Sequence, residues 1–180
     1  MTIFDCTSLD KCIFLGETGA GKTSIINILT ENKFKPNNIT DEITIYRTKW
    51  FYIYDTPGFK STKNRKNNKI FIHDLKGIFL VIRYETRFES ILNKYYELTS
   101  AIPEEYEDKI AVIISQFDLS ANPLEDFELI CKTFDQMNIR IMTCSKYSYC
   151  TDLASCIHCC MSQMSKDEFR LDSSFFAKNI

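Results

Sequence analysis

Residues 16 to 23 of the chain read Gly16-Glu17-Thr18-Gly19-Ala20-Gly21-Lys22-Thr23 and match the pattern G-x-x-x-x-G-K-[ST] in full. The stretch follows a predicted strand at 11–15 and opens a predicted helix at 23–29. Its glycines let backbone N–H groups converge on phosphate oxygens, and the helix N-terminus adds the positive end of its dipole. The pattern therefore predicts binding of a nucleoside triphosphate with Mg²⁺. The residues expected to hold the phosphates are Glu17, Thr18, Gly19, Ala20, Gly21, Lys22, Thr23 and Ser24.

Apolar runs alternate with helical patterns along the rest of the chain. Runs at 12–15, 78–82 and 110–114 are typical of strands buried on both faces of a parallel sheet, and 139–142 is a plausible last strand. Residues 43–46 alternate like an edge strand and could pair antiparallel to 51–54. Helical spacing follows at 88–95, at 127–134 and at 153–164. Before the second of these, Asn122 can cap the helix, Pro123 fits its first turn and Glu125 completes a capping arrangement. This order predicts a three-layer α/β fold with helices on both faces of the sheet.

Composition limits the classes of function. The 180 residues carry a formal net charge of −2, so nothing indicates general binding to nucleic acid. A basic stretch at 60–69 is expected to be a solvated loop, with a phosphate-facing or lipid-facing loop as the alternative. We expect one domain over residues 1–165 and a C-terminal extension or tail over 166–180.

The eight cysteines are expected to be reduced thiols of a cytoplasmic protein, because the chain is long enough for a core and starts without a secretory pattern. No apolar run approaches the ~20 residues of a membrane-spanning helix. Neither a prenylation cysteine nor a myristoylation glycine is present, although peripheral membrane contact stays possible.

A second motif, Asp55-Thr56-Pro57-Gly58, follows the predicted strand at 51–54. Asp55 is placed to hold the metal through water, and Gly58 to offer its backbone N–H to the γ-phosphate. The predicted metal set is thus Thr23, Asp55 and a threonine of the first mobile loop. Thr40 is favoured for that threonine because it lies in a polar loop, with Thr44 as the alternative.

A third motif, Ser115-Gln116-Phe117-Asp118, predicts the base. A carboxylate at Asp118 accepts two hydrogen bonds from guanine, a donor pair that adenine lacks. Gln116 can lay its stem along the base. The later stretch Cys144-Ser145-Lys146 can bring a backbone N–H to the guanine carbonyl, so Ser145 and Lys146 complete the predicted base site.

The order of these motifs resembles GTPases and, more narrowly, the avirulence-induced, immune-associated (AIG or GIMAP) family, which is related to septins and chloroplast import GTPases. The match is carried by residues 14–23, 55–59, Arg87-Phe88, 117–119 and 124–127. Ser115 and Gln116 depart from the GTPase motif, which usually has Asn or Thr and then Lys at these two positions. The resemblance implies a P-loop G domain with a mostly parallel six-stranded sheet and one antiparallel edge strand. It also implies GTP, GDP and Mg²⁺ as ligands, and homodimerisation or oligomerisation across the nucleotide face, with Arg87 completing the partner's site.

Hydrolysis is expected to be slow. Ras-like GTPases orient water with a Gln directly after the glycine of the second switch, and this chain has Phe59 there. The expected catalytic set is Lys22, Thr40, Gly58 and Arg87. One alternative is an assembly module that binds GTP with negligible hydrolysis. The other is an ATP-dependent phosphotransferase, which would not need Asp118.

Four residues near the C-terminal end look like metal ligands: Cys156, His158, Cys159 and Cys160. Cys156 and Cys160 share helical spacing with apolar residues, which predicts that both belong to the core. Zinc sites normally pair two cysteines with a distant second pair, so no metal is expected here.

Overall fold

One mixed sheet of seven strands organises the part of the chain that the computed structural model describes, residues 9–31, 43–58, 72–164, 167 and 169–171. The strands are β1 Asp10–Leu15, β2 Thr44–Arg47, β3 Phe51–Asp55, β4 Ile72–Arg83, β5 Ile110–Ser115, β6 Arg140–Thr143 and β7 Phe169–Leu171. The helices are α1 Lys22–Leu29, α2 Phe88–Thr99, α3 Pro123–Gln136 and α4 Cys150–Ser162. Short 3₁₀ turns occupy Glu104–Lys109 and Phe117–Leu119.

Strand order in the sheet is β2-β3-β1-β4-β5-β6. The five strands from β3 to β6 run parallel, whereas β2 runs antiparallel to β3, with Ile45 opposite Tyr54. This confirms the predicted mostly parallel sheet with an antiparallel edge strand. Because chain order reverses at β1, the carboxyl ends of β1 and its neighbours meet at one edge of the sheet.

The C-terminal segment contains a strand that the sequence did not predict. Residues Phe169–Leu171 form β7, which pairs antiparallel with the first half of β4 and raises the strand number from six to seven. Phe169 and Leu171 are buried and Arg170 is exposed, the alternation of an edge strand with one covered face. β4 is correspondingly longer than the predicted 78–82. The domain boundary after residue 165 stays a prediction.

Two apolar cores, one on each face of the sheet, give the three layers. α2 and α3 cover one face, where Tyr95 meets Phe134 edge to face with ring centroids 5.3 Å apart. α1 and α4 cover the other face, where Phe14 and Phe79 pack 5.8 Å apart under the helices. The continuous apolar runs of the central strands are therefore buried from both sides, as the sequence predicted.

Two local details differ from the prediction. Asn122 is the N-cap residue of α3, but its side chain makes no capping hydrogen bond, and only its carbonyl accepts the amide of Asp126 at 3.0 Å. Cys160 is buried in the α4 core as predicted. Cys156 is exposed, because it precedes Cys160 by four residues and so lies about 40° further round the helix, at the margin of the buried face.

Among the described residues, no cysteine forms a disulfide and no three ligand-type side chains form a metal cluster.

No helix within the described ranges is both long enough and apolar enough to cross a lipid bilayer.

Replacing Phe134 with Ala should lower the free energy of unfolding by about 3–5 kcal/mol, because its ring is fully buried between α3 and the sheet. Phe127→Ala is the matched control on the same helix. Its ring is 40% exposed, and we expect a loss of about 1 kcal/mol or less. Urea unfolding of both variants measures the difference, and similar losses would contradict the placement of α3.

Candidate functional site

The predicted motifs converge at the carboxyl edge of the parallel strands. Residues 16–23, which we call the phosphate loop, follow β1, and residues 56–58 follow β3. Residues 116–120, which we call the base turn, follow β5, and residues 144–146 follow β6. Open α/β sheets bind ligands at this edge, so the topology brings together motifs that lie more than a hundred residues apart in sequence.

Close backbone contacts shape the phosphate loop. A Cβ atom on Gly16 would overlap the carbonyl oxygen of Val81 in β4. Gly19 and Gly21 adopt positive φ values of 83° and 92°, a region that side chains disfavour. The loop thus curls at positions where glycine alone fits, and Gly21 forms the N-cap of α1.

Lys22 lies across the phosphate loop. Its Nζ atom donates to the carbonyl oxygens of Gly16 at 2.9 Å and Glu17 at 3.1 Å. Burial lowers the pKa of Lys22 to about 8, although the negative charges of Asp55 and Glu17 oppose that shift. The ammonium is therefore held at the loop in an environment that an added anion would stabilise.

Thr23 and Asp55 form the oxygen pair predicted to hold the metal. The hydroxyl of Thr23 donates to Oδ2 of Asp55 at 3.1 Å, and Asp55 is fully buried at the end of β3. Hydroxyl and carboxylate oxygens are the ligands that Mg²⁺ prefers, so these residues fit the ion. Thr44 is exposed in β2 and stands opposite Asp55 in the ladder, whereas Thr40 lies outside the described residues.

Gly58 packs directly on the phosphate loop. A Cβ atom there would come within 2.6 Å of the Cα of Thr18, so no side chain fits between the two segments. The turn is anchored to β1 by Thr56, whose hydroxyl donates to the carbonyl of Phe14 at 2.8 Å. Gly58 thus lies against the phosphate loop. Its contact with a γ-phosphate stays a prediction, and Phe59 lies outside the described residues.

The base turn and the loop after β6 meet through Asp118. Its Oδ1 atom accepts the backbone amide of Lys146 at 3.2 Å, and its Oδ2 atom lies 3.6 Å from the ammonium of the same residue. Gln116 begins the turn at a positive φ of 54°, and the amide of Phe117 donates to the carbonyl of Cys144 at 3.1 Å. In the loop after β6, the hydroxyl oxygen of Ser145 accepts a hydrogen bond from the backbone amide of Tyr147 at 3.2 Å.

The role of Ser115 was not predicted from the sequence. Its hydroxyl donates to the carbonyl of Ala20 at 2.5 Å, and a Cβ on Gly21 would lie 3.3 Å from it. Ser115 therefore joins the start of the base turn to the phosphate loop. In the sequence, Ser115 stands out only as a departure from the usual motif. Its contact with Ala20 could not be predicted, because it forms only when the sheet places the end of β5 beside the phosphate loop.

A second contact not predicted from the sequence joins α2 to the phosphate loop. The ammonium of Lys94 lies 3.7 Å from Glu17 and 3.1 Å from Glu85. All three side chains are partly exposed, so the pairs are screened by water. Arg87 is exposed immediately before α2, and Ser24 is exposed in the first turn of α1.

Comparison with protein families gives one match. The family model described as 50S ribosome-binding GTPase matches residues 11–116, more than half of the 180-residue chain. The match includes the phosphate loop and Asp55, and it ends two residues before Asp118. No curated protein matches the sequence.

Solved structures share the fold at low sequence identity. Toc33 from Arabidopsis thaliana, crystallised as a dimerization-deficient arginine-to-alanine mutant, is 12% identical with a TM-score of 0.58, covering 90% of this chain and 87% of its own. Era in complex with MgGDPNP and 16S ribosomal RNA nucleotides is 14% identical with a TM-score of 0.54, covering 89% and 58%. The bacterial selenocysteine-specific elongation factor EF-Sec is 16% identical with a TM-score of 0.53, covering 87% and 29%.

The chain therefore spans most of Toc33 but only part of Era and EF-Sec. The comparisons support P-loop GTPases as a class. The narrower resemblance to the AIG type rests on the sequence motifs alone.

Binding of a nucleoside triphosphate should take up a proton above pH 8. Phosphate charges raise the pKa of Lys22 from about 8, so the neutral amine must be protonated on binding at higher pH. Calorimetry of the nucleotide-free protein in buffers of different ionisation enthalpy should show little uptake at pH 7, approaching about one proton per site at pH 9.

Lys22→Arg is the control for this titration, because its guanidinium stays charged at both pH values and should remove the uptake. Equal proton uptake by wild type at the two pH values would contradict the lowered pKa of Lys22.

Proposed function

Because the chain belongs to the family of the 50S ribosome-binding GTPases, we propose that it binds GTP and GDP with Mg²⁺ and hydrolyses GTP slowly. The observation that carries the guanine assignment is the position of Asp118. Its carboxylate lies at the carboxyl edge of the sheet, hydrogen bonded to the loop after β6 and linked through Ser115 to the phosphate loop. One ligand can therefore contact both.

Guanine offers a ring N–H and an exocyclic amine side by side, and one carboxylate accepts both. Adenine presents no such pair, so binding it would leave the largely buried Asp118 without compensation for lost water. Asp118 also accepts the backbone amide of Lys146, and this hydrogen bond keeps the loop after β6 beside the proposed base site. Selection of the base thus follows from hydrogen-bond complementarity.

The phosphate side is proposed to work through charge and backbone donors. Lys22 and the N–H groups of the phosphate loop bind the outer phosphate oxygens, and the N–H of Gly58 meets the γ-phosphate. Thr23 and Asp55 would hold Mg²⁺, Asp55 through water, and the bound ion would supply positive charge beside the phosphates. Thr40 is the proposed switch threonine and Thr44 the alternative.

Slow turnover is proposed because Phe59, the residue directly after Gly58, has no hydrogen-bonding group with which to orient water. We further propose that the chain is of the AIG type and that a second copy completes the site through Arg87. The exposure of Arg87 beside the nucleotide edge supports this, as does the fold shared with Toc33, whose dimerization-deficient mutant replaces an arginine.

The second candidate function is an assembly module that binds GTP with negligible hydrolysis. The same apolar Phe59 favours it. Both candidates share the binding site, and the rate of phosphate release separates them.

Asp118→Asn should move preference from guanine to xanthine. Two hydrogen bonds to a charged acceptor are lost, so GTP affinity should fall by roughly 10²-fold or more, while an amide serves the xanthine carbonyl. Competition among GTP, GDP, ATP and XTP measures the change. Asp135→Asn makes the same substitution at an exposed position near the end of α3 and should leave the ranking unchanged. Wild-type protein that held ATP as tightly as GTP would overturn the guanine assignment.

The rate of phosphate release per molecule should rise with protein concentration if Arg87 acts in a partner's site. An arginine finger contributes about 10³–10⁵ in rate, so Arg87→Ala should remove the concentration dependence. Arg170→Ala removes an exposed arginine from β7, beside the opposite end of β4, and should behave as wild type. A flat rate for wild type would reject the paired site and favour the assembly module.

A further inference from the structure

Tyr84 follows β4 directly and is 6% exposed, yet no motif or comparison gives it a role. Its backbone amide donates to the carbonyl of Ser115 at 2.9 Å, immediately before the base turn. Its ring meets Phe117 edge to face, with centroids 5.5 Å apart and planes at 87°. Tyr84 thus contacts the start and the middle of the turn that carries Asp118.

The hydroxyl of Tyr84 reaches the other end of the same turn through Asp126 in the first turn of α3. It donates to Oδ2 of Asp126 at 2.5 Å, and the hydroxyl of Ser120 donates to the same oxygen at 2.5 Å. Both distances are typical of hydrogen bonds to an ionised carboxylate. The last residue of the base turn is therefore held against Tyr84 by one shared acceptor.

The charge states agree with this geometry. Hydrogen bonds from Ser120 and Tyr84 lower the pKa of Asp126, while burial and the Asp126 hydrogen bond raise the pKa of Tyr84. At neutral pH the acceptor is charged and the donor keeps its proton. The contact is accordingly of the stronger, charge-assisted class.

The base turn needs such external support. It begins at Gln116 in the left-handed region, a strained conformation for a non-glycine residue that persists only where surrounding contacts fix it. On its other side, Asp118 accepts the backbone amide of Lys146 at 3.2 Å and forms an ion pair with the side chain of the same residue, which is 65% exposed and therefore weakly paired in water. The Tyr84 side adds two charge-assisted hydrogen bonds and an aromatic contact, all partly or fully shielded from water.

We propose that Tyr84 is a positioning residue for guanine recognition, which sets the place of Asp118 by fixing both ends of the base turn, the second through Asp126 and Ser120. The inference rests on the proposed guanine site. The proposal predicts an effect on base discrimination rather than on phosphate binding, because the backbone amide and the ring of Tyr84 both contact residues at the base turn.

Comparison of GTP with ITP tests the proposal, because the hypoxanthine of ITP lacks the exocyclic amine but keeps the ring N–H. Wild type should prefer GTP by about tenfold or more, the value of one hydrogen bond to a charged acceptor. Tyr84→Phe removes the hydroxyl and keeps the ring, and should reduce this preference by about threefold or more as Asp118 gains freedom. Ser120→Ala should do the same from the other end of the turn.

Tyr95→Phe is the matched control, since it removes a phenol hydroxyl from the same core at a site packed against Phe134. It should leave the GTP to ITP ratio unchanged. Equal losses of GTP and ITP affinity in Tyr84→Phe, with the ratio kept, would overturn the proposal and leave Tyr84 a purely structural role. An unchanged ratio in both Tyr84→Phe and Ser120→Ala would also overturn it.

Failure of the guanine assignment itself is distinguishable, because it would already appear in wild type as equal affinity for GTP and ATP. Ser120→Ala, at a half-exposed position, also decides the question should Tyr84→Phe fold poorly.

Discussion

The site depends on backbone segments that approach too closely for side chains. Gly16 packs on the carbonyl of Val81, and Gly58 packs on Thr18. These two contacts fix the phosphate loop between β4 on one side and the turn after β3 on the other. Its N–H groups can then point at a common centre without competing side chains, which is what binding of a polyanion by backbone dipoles requires. A single Cβ at either glycine would separate elements that the whole site needs together.

Burial of charge is the second consequence of this close packing. Lys22 and Asp55 are both withdrawn from water, and the burial that lowers the pKa of Lys22 also makes its ammonium a strong attractor of phosphate. Thr23 contacts Asp55 across the same space. A bound polyanion would offset the unfavourable desolvation of Lys22, and a bound divalent cation would offset that of Asp55.

Sequence alone predicted what depends on local pattern. The phosphate loop, the strand ends at Asp55 and Asp118 and the antiparallel β2 follow from glycine spacing and hydrophobic periodicity, which are properties of a few neighbouring residues. β7 was missed because three residues carry too little periodicity and form a strand only against β4. The missing side-chain hydrogen bond at Asn122 and the exposure of Cys156 have a similar origin, since local pattern does not fix the contacts of side chains at the ends and margins of a helix.

Contacts between elements that are far apart in sequence could not be predicted from local pattern. These contacts join the base turn and the phosphate loop into one site. Ser115 joins the base turn to the phosphate loop, while Tyr84 joins it to β4 and α3. Since both residues stand at the ends of adjacent parallel strands, a shift of β4 against β5 would disturb the base and phosphate contacts together. The position of Asp118 is then a property of the sheet edge as a unit. The departures from the usual base motif at Ser115 and Gln116 are compatible with this arrangement, because the Ser115 hydroxyl still joins the base turn to the phosphate loop and Asp118 is held by the backbone amide of Lys146.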